Sequence, residues 1–232
     1  MAELEPTILI AGASRGLGLA MAEEFAGRGW HIIGTVRADR TGLHELSERL
    51  PGKVRVEQLD VTLPASIAGL REALSGQRVD AIFVNAGTTT SDPFGSLDQV
   101  TDADFLRVME TNALAPMRVV AALEDLLPPN GMVGAMSSGL GSIADNTMGK
   151  ADAYRASKAA LNMLMKTYAV RRENAARPVI LMAPGWIKTE LGGEGATFTL
   201  EETVPAIVDT IIAKRERPGL EYLDRFGQAV AW

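Results

Sequence analysis

The chain of 232 residues contains no cysteine, which excludes disulfides, thiol nucleophiles and cysteine-held metals. Its two histidines, His31 and His44, stand at no spacing that fits a metal site or a nucleophilic triad. No apolar run approaches the roughly 18 residues of a membrane-spanning helix. The opening stretch, MAELEPTILIAGAS, is acidic where a secretory leader would be positive. The expectation is a soluble protein of the cytoplasm, with no membrane partner. Basic residues are in the minority, 23 Lys+Arg against 29 Asp+Glu. That argues against nucleic acid as a partner but leaves room for a local basic pocket.

What is present points to an enzyme-sized α/β domain. Short apolar runs alternate with segments of helical periodicity. Residues 7–11, 31–36, 53–61, 79–87, 132–138 and 177–182 read as strands, and a short seventh is expected near Leu220–Leu223. Helices are expected after Gly18, over 43–50, from Pro64, over 101–127 with a local irregularity at Pro116, over 152–173 and over 200–214. Strands separated by helices imply βαβ units and a parallel sheet covered on both faces. No linker, repeat or low-complexity tract interrupts residues 1–232, so a single domain is expected.

Between the first strand and the first helix stands GASRGLG, with Gly12, Gly16 and Gly18. Glycines in such a turn let backbone approach a pyrophosphate, and the helix start offers free N–H groups and a positive dipole end. The spacing is GxxxGxG rather than GxGxxG. The second strand ends in Val36-Arg37. An acidic residue there would suit the ribose 2′-hydroxyl of NAD; Arg37, with Arg15 in the loop, suits a 2′-phosphate and therefore NADP(H).

GASRGLG, the NAG of residues 85–87, Asn112, Ser138 and YRASK at 154–158 together resemble the short-chain dehydrogenase/reductase family, in matching order along nearly the whole chain. SSGLGSIADNT, YRASKAALNM and APGWIKTELGG are closer still to the Sniffer-type carbonyl reductases and C-factor proteins. The resemblance implies a Rossmann-type, doubly wound sheet of seven parallel strands with helices on both faces. It implies hydride exchange between NADP(H) and a carbonyl or alcohol carbon, and a catalytic tetrad of Asn112, Ser138, Tyr154 and Lys158. Tyr154 lies 16 residues after Ser138, a longer interval than the dozen or so usual in the family. Ser137 and Ser142 are neighbouring candidates; the long interval of the Sniffer-like subgroup assigns the role to Ser138.

In this reading Tyr154 gives the proton, Lys158 favours its phenolate and holds the nicotinamide ribose, Ser138 orients the substrate oxygen, and Asn112 holds a water. The cofactor side comprises Gly12, Ser14, Arg15, Gly16, Leu17 and Gly18, then Arg37, Asp60 and Val61 toward the adenine, and Asn85, Ala86 and Gly87 along the ribose. Tyr154, Lys158, Pro184, Gly185, Ile187 and Thr189 surround the nicotinamide. Trp186 is either a substrate wall or a buried structural residue, and Met163 and Met165 are expected in the core. The glycines of ELGGEGATF predict an adaptable, mobile loop. The partner is a small carbonyl or alcohol, and the family habit of pairing through helices 101–127 and 152–173 implies a homodimer or homotetramer. A secondary-alcohol dehydrogenase and a dinucleotide-binding sensor or signalling protein are the alternatives.

Overall fold

A computed structural model describes residues 5–171, 174 and 176–232. Seven strands form one parallel sheet in the order β3-β2-β1-β4-β5-β6-β7. They are β1 (Thr7–Ala11), β2 (His31–Val36), β3 (Val54–Gln58), β4 (Ala81–Val84), β5 (Met132–Met136), β6 (Pro178–Ala183) and β7 (Gly219–Asp224). The helices are α1 (Gly16–Gly27), α2 (Gly42–Arg49), α3 (Pro64–Ala73), α4 (Asp102–Met109), α5 (Ala115–Leu123), α6 (Asp152–Ala169) and α7 (Leu200–Lys214).

Alternation along β1 shows why the sheet has two covers. Leu9 and Ala11 join a buried cluster with Ile67 and Leu70 of α3, Val119 of α5 and Leu161 and Met165 of α6. Ile8 and Ile10 join Met21 and Phe25 of α1, Leu43 and Leu46 of α2 and Ile207 of α7 on the other face. Successive side chains of a strand point to opposite faces, so a strand written TILIA feeds both cores. The strand order reverses between β1 and β4, which opens a crevice beyond their carboxyl ends.

The helix expected over 101–127 is broken before Pro116. Over Glu110–Leu114 the backbone widens to a π-turn, and the Ala115 N–H reaches back to the Glu110 carbonyl. Pro116 has no N–H to give the Asn112 carbonyl four residues earlier. The helix expected over 152–173 ends at Ala169; residues 172 and 173, like 1–4, lie outside those described. β3 stops at Gln58, so Asp60 and Val61 stand in the turn beyond it. Met165 is buried as expected, but Met163 is exposed on the outer side of α6. Among the described residues no helix is long and apolar enough to cross a membrane.

Candidate active site

The glycine turn is held by close backbone approach. Gly12 has φ +91°, and a Cβ on it would lie 2.9 Å from the Ala86 backbone. A Cβ on Gly18 would lie 2.1 Å from the Gly12 carbonyl oxygen. The Asn85 Nδ2 donates to that same oxygen at 2.8 Å, and the Gly12 N–H donates to Thr35 Oγ1 at 3.0 Å. Asn85 and Ala86 therefore help to build the turn.

At the start of α1 no side chain caps the helix and its first turn carries no acidic residue. The amide groups of this turn and the positive end of the dipole are left for an anion. An adjoining glycine-lined surface and Arg37, exposed just past β2, make this part of the chain fit a phosphorylated dinucleotide. Arg15 differs from expectation: its guanidinium pairs with Glu190 at 2.6 Å, joining the glycine loop to the loop after β6. Asp60 also differs. Its carboxylate accepts from the Thr62 N–H at 2.9 Å and the Thr62 hydroxyl at 2.7 Å. Those bonds, chiefly the hydroxyl, hold its pKa low, and Arg37 adds to the effect.

The chain enters α6 through a strained turn. Ala151 takes a left-handed conformation with φ 62°, a strain of order 1–3 kcal/mol for a residue with a Cβ. The buried Arg155 braces it, its Nε donating to the Lys150 carbonyl at 2.6 Å. Tyr154 sits in the first turn that follows, half-buried, with Lys158 one turn on and buried. The Lys158 Nζ lies 5.6 Å from the centre of the Tyr154 ring and donates to the Met136 carbonyl, at the end of β5, at 2.8 Å.

Burial sets the acidities of this pair. It pushes the Tyr154 phenol up to about 12, with the Ser138 hydroxyl pulling the other way and Tyr222 adding to the rise. It pulls the Lys158 ammonium down to about 8. Without a bound cofactor the phenol is thus firmly protonated, whereas proximity of the ammonium on its own was expected to favour the phenolate. Desolvation, the largest cause of the rise, acts against that phenolate.

Asn112 and Lys158 meet on either side of Gly87. A Cβ there would stand 3.4 Å from Asn112 Oδ1 and 3.5 Å from Lys158 Nζ. The Asn112 amide is fully engaged: Oδ1 accepts from the Thr88 N–H at 2.8 Å, and Nδ2 donates to the Thr88 carbonyl at 2.8 Å and to Ser157 Oγ at 2.9 Å. Ser157 in turn donates to the Tyr154 carbonyl at 2.7 Å. Ser138, just past β5, faces the Tyr154 phenol and accepts from the Leu140 N–H at 3.1 Å. Ser137 is instead buried, donating to Asn162 Oδ1 at 2.6 Å, and Ser142 accepts from the Asp145 N–H at 3.0 Å. Of the three serines, Ser138 is the one beside the phenol.

Pro184 and Gly185 follow β6, and Gly185 has φ +95°. Ile187 is buried and pairs with Phe198. The Thr189 hydroxyl accepts from the Gly192 N–H at 3.0 Å, and its methyl lies 3.6 Å from where a Gly16 Cβ would be. The Trp186 indole donates to the Gly192 carbonyl at 2.8 Å and packs edge-on against Phe94 at 6.1 Å. Trp186 is about half exposed rather than buried. The glycine-rich loop is thus stitched to itself through Thr189 and Trp186. His44 caps α2 with Thr41, and His31 pairs with Glu5.

Sequence reasoning missed Thr35, Thr88, Ser157, Asn162 and Tyr222. Thr88 directly follows the NAG stretch and Ser157 lies inside YRASK, so adjacency alone marked them. Asn162 stands one turn past Lys158 on α6, within YRASKAALNM, while Thr35 on β2 and Tyr222 on β7 are brought in from distant parts of the chain by the sheet.

A family model described as short chain dehydrogenase matches residues 6–197. A solved short-chain dehydrogenase/reductase from Burkholderia multivorans, crystallised with bound NADP, is 53% identical with a TM-score of 0.96, covering 99% of this chain and 100% of that one. The carbonyl reductase Sniffer of D. melanogaster is 25% identical with a TM-score of 0.87, again covering 99% and 100%. The C-signal protein of Myxococcus xanthus is 34% identical over 66% of this chain and 93% of its own. Both branches singled out from the motifs are therefore among its relatives. On this match of sequence, fold and site the chain belongs to the short-chain dehydrogenase family.

Proposed function

We propose that the protein is an NADPH-dependent carbonyl reductase acting on a ketone, aldehyde or quinone. The observation that carries the reading is the convergence of Asn112, Ser138, Tyr154 and Lys158 at the carboxyl end of the sheet, beside the uncapped start of α1. NADP in the Burkholderia relative supports the cofactor, and the name of the Sniffer relative supports the reaction.

The bound cofactor would supply the hydride. The α1 turn, with Ser14, Gly16, Leu17 and Gly18, would hold its diphosphate, and Arg37 the 2′-phosphate. Asn85, Ala86 and Gly87 would line the ribose, Asp60 and Val61 the adenine, and Pro184, Gly185, Ile187 and Thr189 the nicotinamide. Arg15 reaches a phosphate only by exchanging Glu190.

Ser138 would donate a hydrogen bond to the substrate oxygen and aim it at Tyr154. Charge develops on that oxygen as the carbonyl carbon accepts hydride, and the protonated Tyr154 phenol quenches it. Lys158, with its ammonium behind the ring, stabilises the phenolate that results. Asn112 keeps its side chain on Thr88 and Ser157 and, through the carbonyl that Pro116 leaves unclaimed by the usual helical bond, would place a water that returns the proton by way of Lys158. In the opposite direction the same groups would oxidise a secondary alcohol.

Exposed Leu106, Leu114, Met163 and Leu164 on α4, the π-turn and α6, with Val170 just past the end of α6, support pairing with a second copy on that side. The test of the function is NADPH consumption against a panel of ketones, aldehydes and quinones. Turnover with at least one class is expected. NADPH binding without turnover on any of them would favour the sensor reading.

A further inference from the structure

Behind the Ser138 segment lies a buried polar cluster that the chemistry above does not use. Tyr222, on β7, is buried, and its hydroxyl donates to the Ser138 carbonyl. Ser137 and Asn162 are buried beside it; both counter the rise that burial imposes on the Tyr222 pKa. The Asn162 Nδ2 donates onward to the Gly141 carbonyl at 3.3 Å.

A second hold comes from the residues after β7. The chain turns back along the strand, with the Asp224 N–H donating to the Gln228 carbonyl at 2.8 Å and the Val230 N–H to the Tyr222 carbonyl at 2.9 Å. This return brings the Trp232 ring to 5.5 Å from that of Tyr222, tilted by 54°. It also brings the Trp232 carbonyl to the Ala144 N–H at 2.9 Å. The stretch from Ser138 to Ala144 is therefore held at both ends by one hairpin, through the Tyr222 hydroxyl at one and Trp232 at the other.

We infer that Tyr222 and Trp232 are positioning residues for Ser138. The inference rests on the carbonyl reductase reading. The Ser138 hydroxyl can face Tyr154 and the substrate oxygen only while its backbone stays extended, at φ −163° and ψ 147°. A hydrogen bond on the carbonyl of that same residue fixes that geometry. Reacting groups displaced by about 1 Å lose roughly a hundredfold in rate, so a partial loosening is felt in turnover before it is felt in folding. A tyrosine present only to fill space would not need its hydroxyl on this carbonyl.

The test uses the full chain with Tyr222→Phe, which keeps the ring and its contact with Trp232, and with Trp232→Ala. Amide hydrogen exchange is measured at Leu140, Gly141, Ser142 and Ala144, together with kcat, KM and NADPH affinity. In Tyr222→Phe exchange at these amides should rise about tenfold, and kcat should fall about tenfold with NADPH affinity within about twofold of wild type. Trp232→Ala should show its largest rise at Ala144. Unchanged exchange at all four amides overturns the inference. So does an equal rise across β1 and β4, which would mark general destabilisation. A wild-type chain that turns over no carbonyl counts against the reductase reading, and the exchange measurement still decides the positioning role.

Discussion

The Lys158 ammonium stands 5.6 Å from the centre of the Tyr154 ring and is anchored on the Met136 carbonyl, not on the phenol. The two groups share a helix face one turn apart, and burial moves their pKa values apart, down to about 8 for the lysine and up to about 12 for the tyrosine. Both neutral forms are favoured by desolvation, so the protein holds an acid ready for donation and a cation it keeps at some cost.

That cost gives stability a definite pH dependence. Lys158 binds its proton less tightly folded, near 8, than unfolded, near 10.5. Between these values the unfolded chain holds more protons, so this group makes stability rise with pH. Tyr154 binds its proton more tightly folded, near 12, than unfolded, near 10, so above pH 10 it makes stability fall. Urea unfolding of the cofactor-free chain should show wild type gaining on Lys158→Met from pH 8 to 10. A constant difference over that range would contradict the shift.

Removing the Asn112 side chain should cost both fold and rate. Asn112→Ala strips partners from the Thr88 backbone and from Ser157, each worth on the order of 1–3 kcal/mol when left buried and unpaired. Urea unfolding should register a loss of at least 2 kcal/mol or so. A loss below 0.5 kcal/mol or so would mean that water replaces the amide.

Gly18 is predicted to tolerate no side chain. In Gly18→Ala the new methyl would fall 2.1 Å from the Gly12 carbonyl oxygen, so the turn must open. NADPH binding should be lost while Gly27→Ala, where nothing lies within 4 Å, binds normally. Equal affinity of the two variants would show that the turn does not shape the phosphate site.

Arg37 should set the choice between cofactors. Arg37→Ala is expected to weaken NADPH binding by about ten- to a hundredfold, the worth of a charged hydrogen bond, and NADH binding by less than about twofold. Glu190→Gln frees Arg15 from its ion pair and should strengthen NADPH binding. Parallel losses for both cofactors in Arg37→Ala would place Arg37 away from the 2′-phosphate.

The elements legible in the sequence were those written locally. β1, β2 and α7 have the expected bounds because the apolar run of β1 stops at Gly12, that of β2 stops at the charged Arg37, and Thr199 and Glu202 form a capping box at the start of α7. The π-turn before Pro116 was marked only as an irregularity: proline removes a donor, but tertiary packing decides how the chain absorbs the loss. Burial could not be read for Met163, because a helix face that looks apolar can still lie outward. Long-range partnerships were also hidden. Arg15 meets Glu190, and Tyr222 meets Ser138 84 residues away, through the order of strands, and nothing beside either residue announces it. The raised pKa of Tyr154 has the same origin, since motif spacing shows the lysine but not how far packing shields both groups from water.

The most direct measurement compares NADPH oxidation by wild type and Tyr154→Phe on the same carbonyl substrate, with NADPH affinity measured for both. The account predicts wild-type turnover that falls at least a hundredfold or so in the variant, with cofactor affinity retained. Equal turnover in the two proteins would contradict it, because the proton would then come from somewhere other than the phenol.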